Sequence, residues 1–121
     1  MKTWIEIDVM ESLRSLDDPG SEGFSANLYA VYQREADSCL AKIHRAIAAK
    51  DFSAVQLLAH RLTEMALSVG AHAVHATVEK IEAAAVRADA AECSALTSEL
   101  RADVGETRKE IAYYYPAATA A

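Results

Sequence analysis

Apolar residues recur at three- and four-residue steps along most of this chain, and that spacing constrains the fold more than any other feature. The period places apolar side chains on one face of an α-helix, whereas a half-buried strand would need strict alternation. We find no alternating segment. The chain of 121 residues is rich in alanine and has 4 Gly and 2 Pro, a composition that also favours helix. The sequence therefore predicts an all-α protein.

Breaks in the pattern divide the chain into five predicted helices. They cover about residues 4–16, 24–49, 52–69, 72–88 and 91–111. Asp51 is suited to capping the third helix at its start, and Gly70 is suited to ending it. Short joints between four substantial helices predict an antiparallel up-down four-helix bundle with a short N-terminal capping helix.

We expect a single domain over residues 1–121, because the chain is of ordinary domain length. The helix at about 4–16 should cap a bundle formed by residues 24–112, and residues 116–121 should form a flexible tail. The capping helix should present Ile5, Val9, Leu13 and Leu16 to the core. Three consecutive tyrosines at 113–115 should pack against the end of the bundle.

Charge and cysteine content exclude several classes of function. The chain has 12 Lys and Arg against 18 Asp and Glu, a formal net charge of −6, so we expect no nucleic-acid partner and no membrane surface as partner. No run of about 18 apolar residues is available to span a bilayer, and the N-terminus does not resemble a signal peptide. Cys39 and Cys93 are expected to be reduced thiols. These features predict a cytoplasmic protein.

The third predicted helix carries one histidine outside its apolar face. A wheel at about 100° per residue places His60 roughly 140° from Val55, which lies in the core arc. Its neighbours on this face are Gln56, Leu57, Thr63, Glu64 and Leu67. Two interpretations are open on the wheel alone. The face is a docking surface around a polar centre, or the leucines cover another helix beside an ordinary surface histidine.

The order of residues 59–71 resembles a known motif. It reads Ala-His-Arg-Leu-x-x-x-Ala-x-x-x-Gly-Ala. This is similar to the site of histidine-containing phosphotransfer (HPt) domains, which typically reads His-x-Leu-Lys-Gly-Ser-Ala, three residues, then Gly-Ala. The matching residues are His60, Leu62, Ala66, Gly70 and Ala71. The resemblance extends over nearly the whole chain and includes the five-helix layout.

The resemblance implies a phosphorelay intermediate. The His60 imidazole would accept a phosphoryl group from an aspartyl phosphate on a receiver domain and pass it to another receiver. A neutral imidazole nitrogen is a good nucleophile near neutral pH. The implied partners are response-regulator receiver domains, a hybrid sensor kinase, or both, and we expect the domain itself to be a monomer.

The resemblance also implies that the domain is a phosphocarrier and binding domain rather than a turnover enzyme. It would need no cofactor or metal of its own, because Mg²⁺ and the acidic residues would belong to the receiver. His72, His75 and Glu79 share a face of the fourth helix. We predict no metal site there, because three ligands on one surface helix rarely form one without a second element.

Three residues beside His60 depart from the family pattern. Thr63 replaces the usual lysine, and it can offer one neutral hydrogen bond but no charge to balance the phosphate. Glu64 replaces the usual glycine. Its carboxylate should repel the phosphoryl group and favour the protonated imidazole, which is not nucleophilic. Met65 replaces a small residue and should pack at the edge of the core. Arg61 points about 100° away from His60 and is poorly placed to replace the lysine.

Two functions therefore remain open. In the first, the chain is a phosphocarrier with an unusual site, and its partner contacts are Gln56, Leu57, Arg61, Thr63, Glu64 and Leu67. In the second, it is a degenerate HPt-fold docking or decoy module that binds a receiver or kinase with little or no phosphotransfer. Retention of His60 favours the first, and loss of both the lysine and the glycine favours the second.

Overall fold

The helices of this chain are described by a computed structural model that covers residues 3–19 and 23–116. Within these ranges they are α1 (Ile7–Arg14), α2 (Gly23–Ala48), α3 (Phe52–Val69), α4 (His72–Val86) and α5 (Ala90–Tyr114). Helices α2 to α5 pack in sequence order, α5 closes the bundle against α2, and α1 lies on α2 and α3. The predicted all-α antiparallel bundle with a short N-terminal capping helix is confirmed.

The apolar faces of the helices meet in one core, as their spacing predicts. The buried residues assigned correctly on the last two helices are Val74, Val78, Ile81, Ala85, Leu96, Leu100, Val104 and Ile111. The two cysteines, Cys39 and Cys93, are both free thiols and both buried. In the described part of the chain, no helix combines the length and the apolar character needed to cross a membrane.

The two ends of α3 are fixed by the residues that the sequence singles out. At its start, the Asp51 Oδ1 accepts a hydrogen bond from the Ala54 backbone N–H at 3.1 Å, which satisfies a donor that the first turn leaves unpaired. At its end, Gly70 adopts φ +74°, and the Ala71 N–H donates to the Ala66 carbonyl at 2.9 Å. Glycine suits this left-handed conformation because it has no Cβ. His60 therefore lies in the middle of a helix with defined ends.

The capping helix is shorter than predicted. It spans Ile7–Arg14 rather than residues 4–16, so Ile5 precedes the helix and Leu16 follows it. Ile5 is buried, but Leu16 is 65% exposed, and its assignment to the core is wrong. After Arg14 the chain leaves the helix in a turn, in which the Leu16 N–H donates a hydrogen bond to the Leu13 carbonyl. Leu16 therefore no longer follows the helical face on which its spacing was counted.

The three C-terminal tyrosines have different environments. Because α5 continues to Tyr114, Tyr113 lies on its outer face with 79% of its surface exposed, and its assignment to the bundle end is wrong. Tyr115 is buried and stacks on Tyr29 with 5.2 Å between ring centroids. The Arg14 Nε donates to the Tyr115 hydroxyl at 2.9 Å and ties α1 to this end. The predicted tail at 116–121 lies outside the described residues apart from its first position.

Gly105 lies inside α5 with space around it. A Cβ added to this glycine would meet no heavy atom of the described residues within 4 Å. Gly105→Ala should raise the free energy of unfolding by about 1 kcal/mol, because glycine weakens a helix interior by about that amount relative to alanine. Urea denaturation followed by circular dichroism would measure this gain. A loss of stability would instead reveal a packing role for the glycine.

Candidate functional site

His60 lies on the outer face of α3 and points away from the core. Its side chain is 61% exposed, whereas its neighbours Ala59 and Leu62 are fully buried. This is the separation that the helical wheel predicts. An imidazole exposed on a well-ordered helix can be approached from solvent, which an in-line displacement at phosphorus requires.

Two leucines remain exposed on the same face. Leu57 is 66% exposed and Leu67 is 57% exposed, so neither covers another helix, and the core does not need them. Gln56 is partly buried at the edge of this face. Exposed apolar side chains around a polar centre are typical of docking surfaces. We call the surface formed by Gln56, Leu57, His60, Glu64 and Leu67 the His60 face.

Glu64 contacts the histidine directly. Its Oε1 lies 2.9 Å from the His60 Nε2, one helical turn along, and the Glu64 side chain is 70% exposed. At this separation the carboxylate pairs with the imidazole when the ring is protonated, and a protonated ring has no free lone pair for attack. The carboxylate also occupies the space beside Nε2. Glu64 must therefore move aside before phosphorus can reach that nitrogen.

Thr63 does not present its hydroxyl to the surface. The residue is half-buried, and its Oγ1 is buried with no hydrogen-bond partner among the described residues. The neutral hydrogen bond that the sequence suggests Thr63 could offer at the site is therefore not available in this conformation. Met65 packs against the core, as predicted.

Arg61 is exposed on α3, one residue after His60. Burial raises the pKa of the Cys39 thiol on α2, Glu35 adds to the rise, and the positive charges of Arg61 and Lys42 oppose it. The charge of Arg61 is therefore within electrostatic range of α2. The predicted direction of Arg61, away from His60, agrees with this placement. Among the described residues, the charged side chain that bonds to His60 is the carboxylate of Glu64.

Gly70 has a second role that the sequence does not reveal. The Glu6 backbone N–H donates to the Gly70 carbonyl at 2.8 Å, and a Cβ on Gly70 would lie 2.9 Å from the Val9 Cβ. The missing side chain therefore lets α1 approach the joint between α3 and α4. Local sequence explains why a helix ends at Gly70, but the contact with Val9 is known only once the fold is known.

The polar side chains of α4 are spread along the helix in this structure. The His75 Nε2 lies 3.0 Å from the Glu79 Oε1, and the His72 Nε2 is buried without a hydrogen-bond partner in the described ranges. Within those ranges, no group of three or more His, Cys, Asp and Glu side chains is placed to hold a metal ion. His72, His75 and Glu79 share a face of α4 but do not converge.

Comparisons with known proteins agree with this fold. The family model of the Hpt domain matches residues 27–110, which run from α2 to the last turns of α5 and include His60. The comparison with curated proteins finds no match.

Among solved structures, the chain is similar to the crystal structure of histidine-containing phosphotransfer protein B (HptB) from Pseudomonas aeruginosa PAO1. The TM-score is 0.86 at 18% sequence identity, and the match covers 96% of this chain and 97% of that one. At this identity the likeness shows that the two chains share a fold. Because the family model covers most of the sequence, the chain belongs to the histidine-containing phosphotransfer (Hpt) domain family.

Proposed function

We propose that this Hpt domain is a phosphorelay intermediate. His60 accepts a phosphoryl group from the aspartyl phosphate of a receiver domain and passes it to another receiver. The observation that carries the proposal is the exposed imidazole of His60 in the middle of α3 of an Hpt bundle. The partners are response-regulator receivers, with or without a hybrid sensor kinase, and the domain acts as a monomeric carrier.

The transfer exchanges one bond to phosphorus for another. A lone pair on an imidazole nitrogen attacks phosphorus, the P–O bond of the acyl phosphate breaks, and the receiver carboxylate leaves with the electron pair. The ring proton on the other nitrogen can pass to solvent. Passing the group on reverses these steps with a second receiver. The receiver supplies Mg²⁺ and the acidic residues, so this domain contributes the nucleophile and the docking surface.

A second candidate function rests on the carboxylate beside the histidine. The Glu64 Oε1 lies 2.9 Å from the His60 Nε2, where it stands in the way of phosphorus and repels an incoming phosphoryl group. A domain that kept this contact in the complex would bind a receiver or kinase through its exposed leucines without accepting phosphate. It would then be a docking or decoy module with the Hpt fold.

One assay separates the two functions. Purified protein is incubated with a panel of phosphorylated receivers and examined for phosphate that is labile to acid and stable to base, as phosphohistidine is. A carrier becomes labelled by at least one receiver. A decoy binds a receiver in a pull-down or by calorimetry but remains unlabelled. A protein that neither binds nor becomes labelled would contradict both proposals.

Glu64 should slow the intrinsic reaction of His60. With phosphoramidate, a small phosphodonor that has no docking surface, Glu64→Gln should label about three- to tenfold faster than wild type. The reason is that a unit negative charge about 4 Å from the attacking nitrogen, at the dielectric of water that suits two exposed side chains, is worth about 1 kcal/mol. Glutamine keeps the size and helix propensity of the side chain. Phosphohistidine formation can be followed by ³¹P NMR.

Glu99→Gln is the matched control for that comparison. It removes the same charge from an exposed position on α5, which packs on α2 and α4. This variant should react with phosphoramidate at the wild-type rate. Equal rates for Glu64→Gln and wild type would show that the carboxylate does not limit the nucleophile.

A further inference from the structure

We infer that the receiver serving this domain carries a lysine or arginine that contacts Glu64 when the two proteins dock. The inference rests on the proposed carrier function and adds to it the chemistry of the partner. It starts from the position of one carboxylate. The Glu64 Oε1 lies 2.9 Å from the His60 Nε2, where an incoming phosphoryl group would have to come close. A dianionic group and a carboxylate at that separation repel each other.

Among the residues that the structure describes, no lysine or arginine pairs with the Glu64 carboxylate to relieve this repulsion. Arg61, the nearest in sequence, points about 100° away from His60 around the axis of α3. Thr63, at the family's lysine position, has an uncharged side chain whose hydroxyl is buried. Within the described part of α3, the turn that carries His60 therefore presents a negative charge to the partner.

Helix α4, which packs on α3, leaves the charge near His60 negative. The joint between α3 and α4 is short, so His60 lies at about the level of Glu82 on α4, given the equal rise per residue. Thr77 bonds to Asp103 and marks the side of α4 that faces α5. Lys80 falls nearer that side on the wheel, whereas Glu82 falls on the side of α3. Glu79 is already bonded to His75.

A cation on the receiver would act in two ways at once. By binding the Glu64 carboxylate, it would draw Oε1 away from the His60 Nε2 and open that nitrogen of the neutral imidazole to phosphorus, with the single ring proton on Nδ1. It would also offset the negative charge that the phosphoryl group meets. Because Leu57 and Leu67 supply uncharged contact, Glu64 is the residue on the His60 face that distinguishes a basic partner surface from a neutral or acidic one.

The test compares two phosphodonors on the same variants. The receiver that labels wild type fastest in the panel is used beside phosphoramidate, with Glu64→Gln, Glu64→Lys and the control Glu99→Gln. With the receiver, labelling should fall several-fold in Glu64→Gln and at least about tenfold in Glu64→Lys. With phosphoramidate, Glu64→Gln should react faster than wild type. The expected result is therefore that Glu64→Gln lowers the rate of labelling by the receiver and raises the rate of labelling by phosphoramidate.

A receiver that labels Glu64→Gln as fast as wild type, or faster, would overturn the inference while leaving the carrier function intact. If the carrier function itself is wrong, no receiver labels wild type at all, and this result distinguishes the two failures. Circular dichroism of each variant confirms that a slow rate does not reflect unfolding.

A charge exchange completes the test. Lysines and arginines around the phosphorylated aspartate of the chosen receiver are changed to glutamate one at a time. One of these changes should slow labelling of wild type and restore labelling of Glu64→Lys several-fold. If every change slows both proteins equally, or none has any effect, Glu64 has no cationic partner and the inference is wrong.

Discussion

His60→Gln should abolish labelling by every phosphorylated receiver while leaving the fold unchanged. The glutamine side chain has a similar polarity, but its amide nitrogen is not a nucleophile, so acid-labile phosphate should fall at least about a thousandfold, to background. The His60 side chain is 61% exposed and lies outside the core. The free energy of unfolding should therefore change by no more than about 0.5 kcal/mol. The labelling assay measures the loss of acid-labile phosphate, and a urea denaturation curve measures the change in the free energy of unfolding.

His44→Gln is the matched control for this prediction. His44 is another exposed histidine, on α2, among the 4 in the chain. This variant should label at the wild-type rate. If acid-labile phosphate persisted in His60→Gln and disappeared in His44→Gln, the acceptor would be on α2 and the assignment of His60 would be wrong.

Gly70→Ala should lower the free energy of unfolding by about 2–4 kcal/mol. Two effects add. Alanine at φ +74° takes a left-handed conformation that is unfavourable by about 1–2 kcal/mol. Its Cβ would also lie 2.9 Å from the Val9 Cβ and 3.3 Å from the Glu6 carbonyl oxygen, and such overpacking typically costs about 1–3 kcal/mol. A urea denaturation midpoint, compared with that of wild type, measures the loss.

Gly105→Ala serves as its control, because it makes the same chemical change where φ is not left-handed and the added methyl meets open space. The two substitutions should shift the midpoint in opposite directions. If Gly70→Ala were neutral, α1 would have to be able to move away from the joint between α3 and α4 at little cost. The contact with Val9 would then not be important for stability.

Much of the bundle could be predicted because its causes are local. The three- and four-residue spacing of apolar side chains gives the buried faces of α4 and α5, and Asp51 and Gly70 give the ends of α3. The predicted end of α5 at about residue 111 is too early, although the true end has a local cause. Pro116 disfavours helical geometry at the preceding residue, and the helix indeed ends at Tyr114.

Parts of the site could not be predicted because their causes are not local. The wheel correctly places His60 outside the core, but it leaves open whether Leu57 and Leu67 are exposed or cover another helix. A wheel does not specify rotamers, so it gives neither the Glu64 carboxylate on the His60 Nε2 nor the inward Thr63 hydroxyl. The contact of Gly70 with Val9 joins residues far apart in sequence and depends on where α1 packs.

The most direct test of the central claim is transfer of a phosphoryl group from one receiver onto this domain and then from the domain to a second receiver. Wild-type protein labelled by one receiver is purified and mixed with a second, unphosphorylated receiver, and the chemical stability of the label on each protein is followed over time. We expect acid-labile phosphate to leave His60 while base-labile phosphate appears on the receiver. Phosphate that stays on the domain, or is released to solvent without appearing on any receiver, would contradict the carrier function.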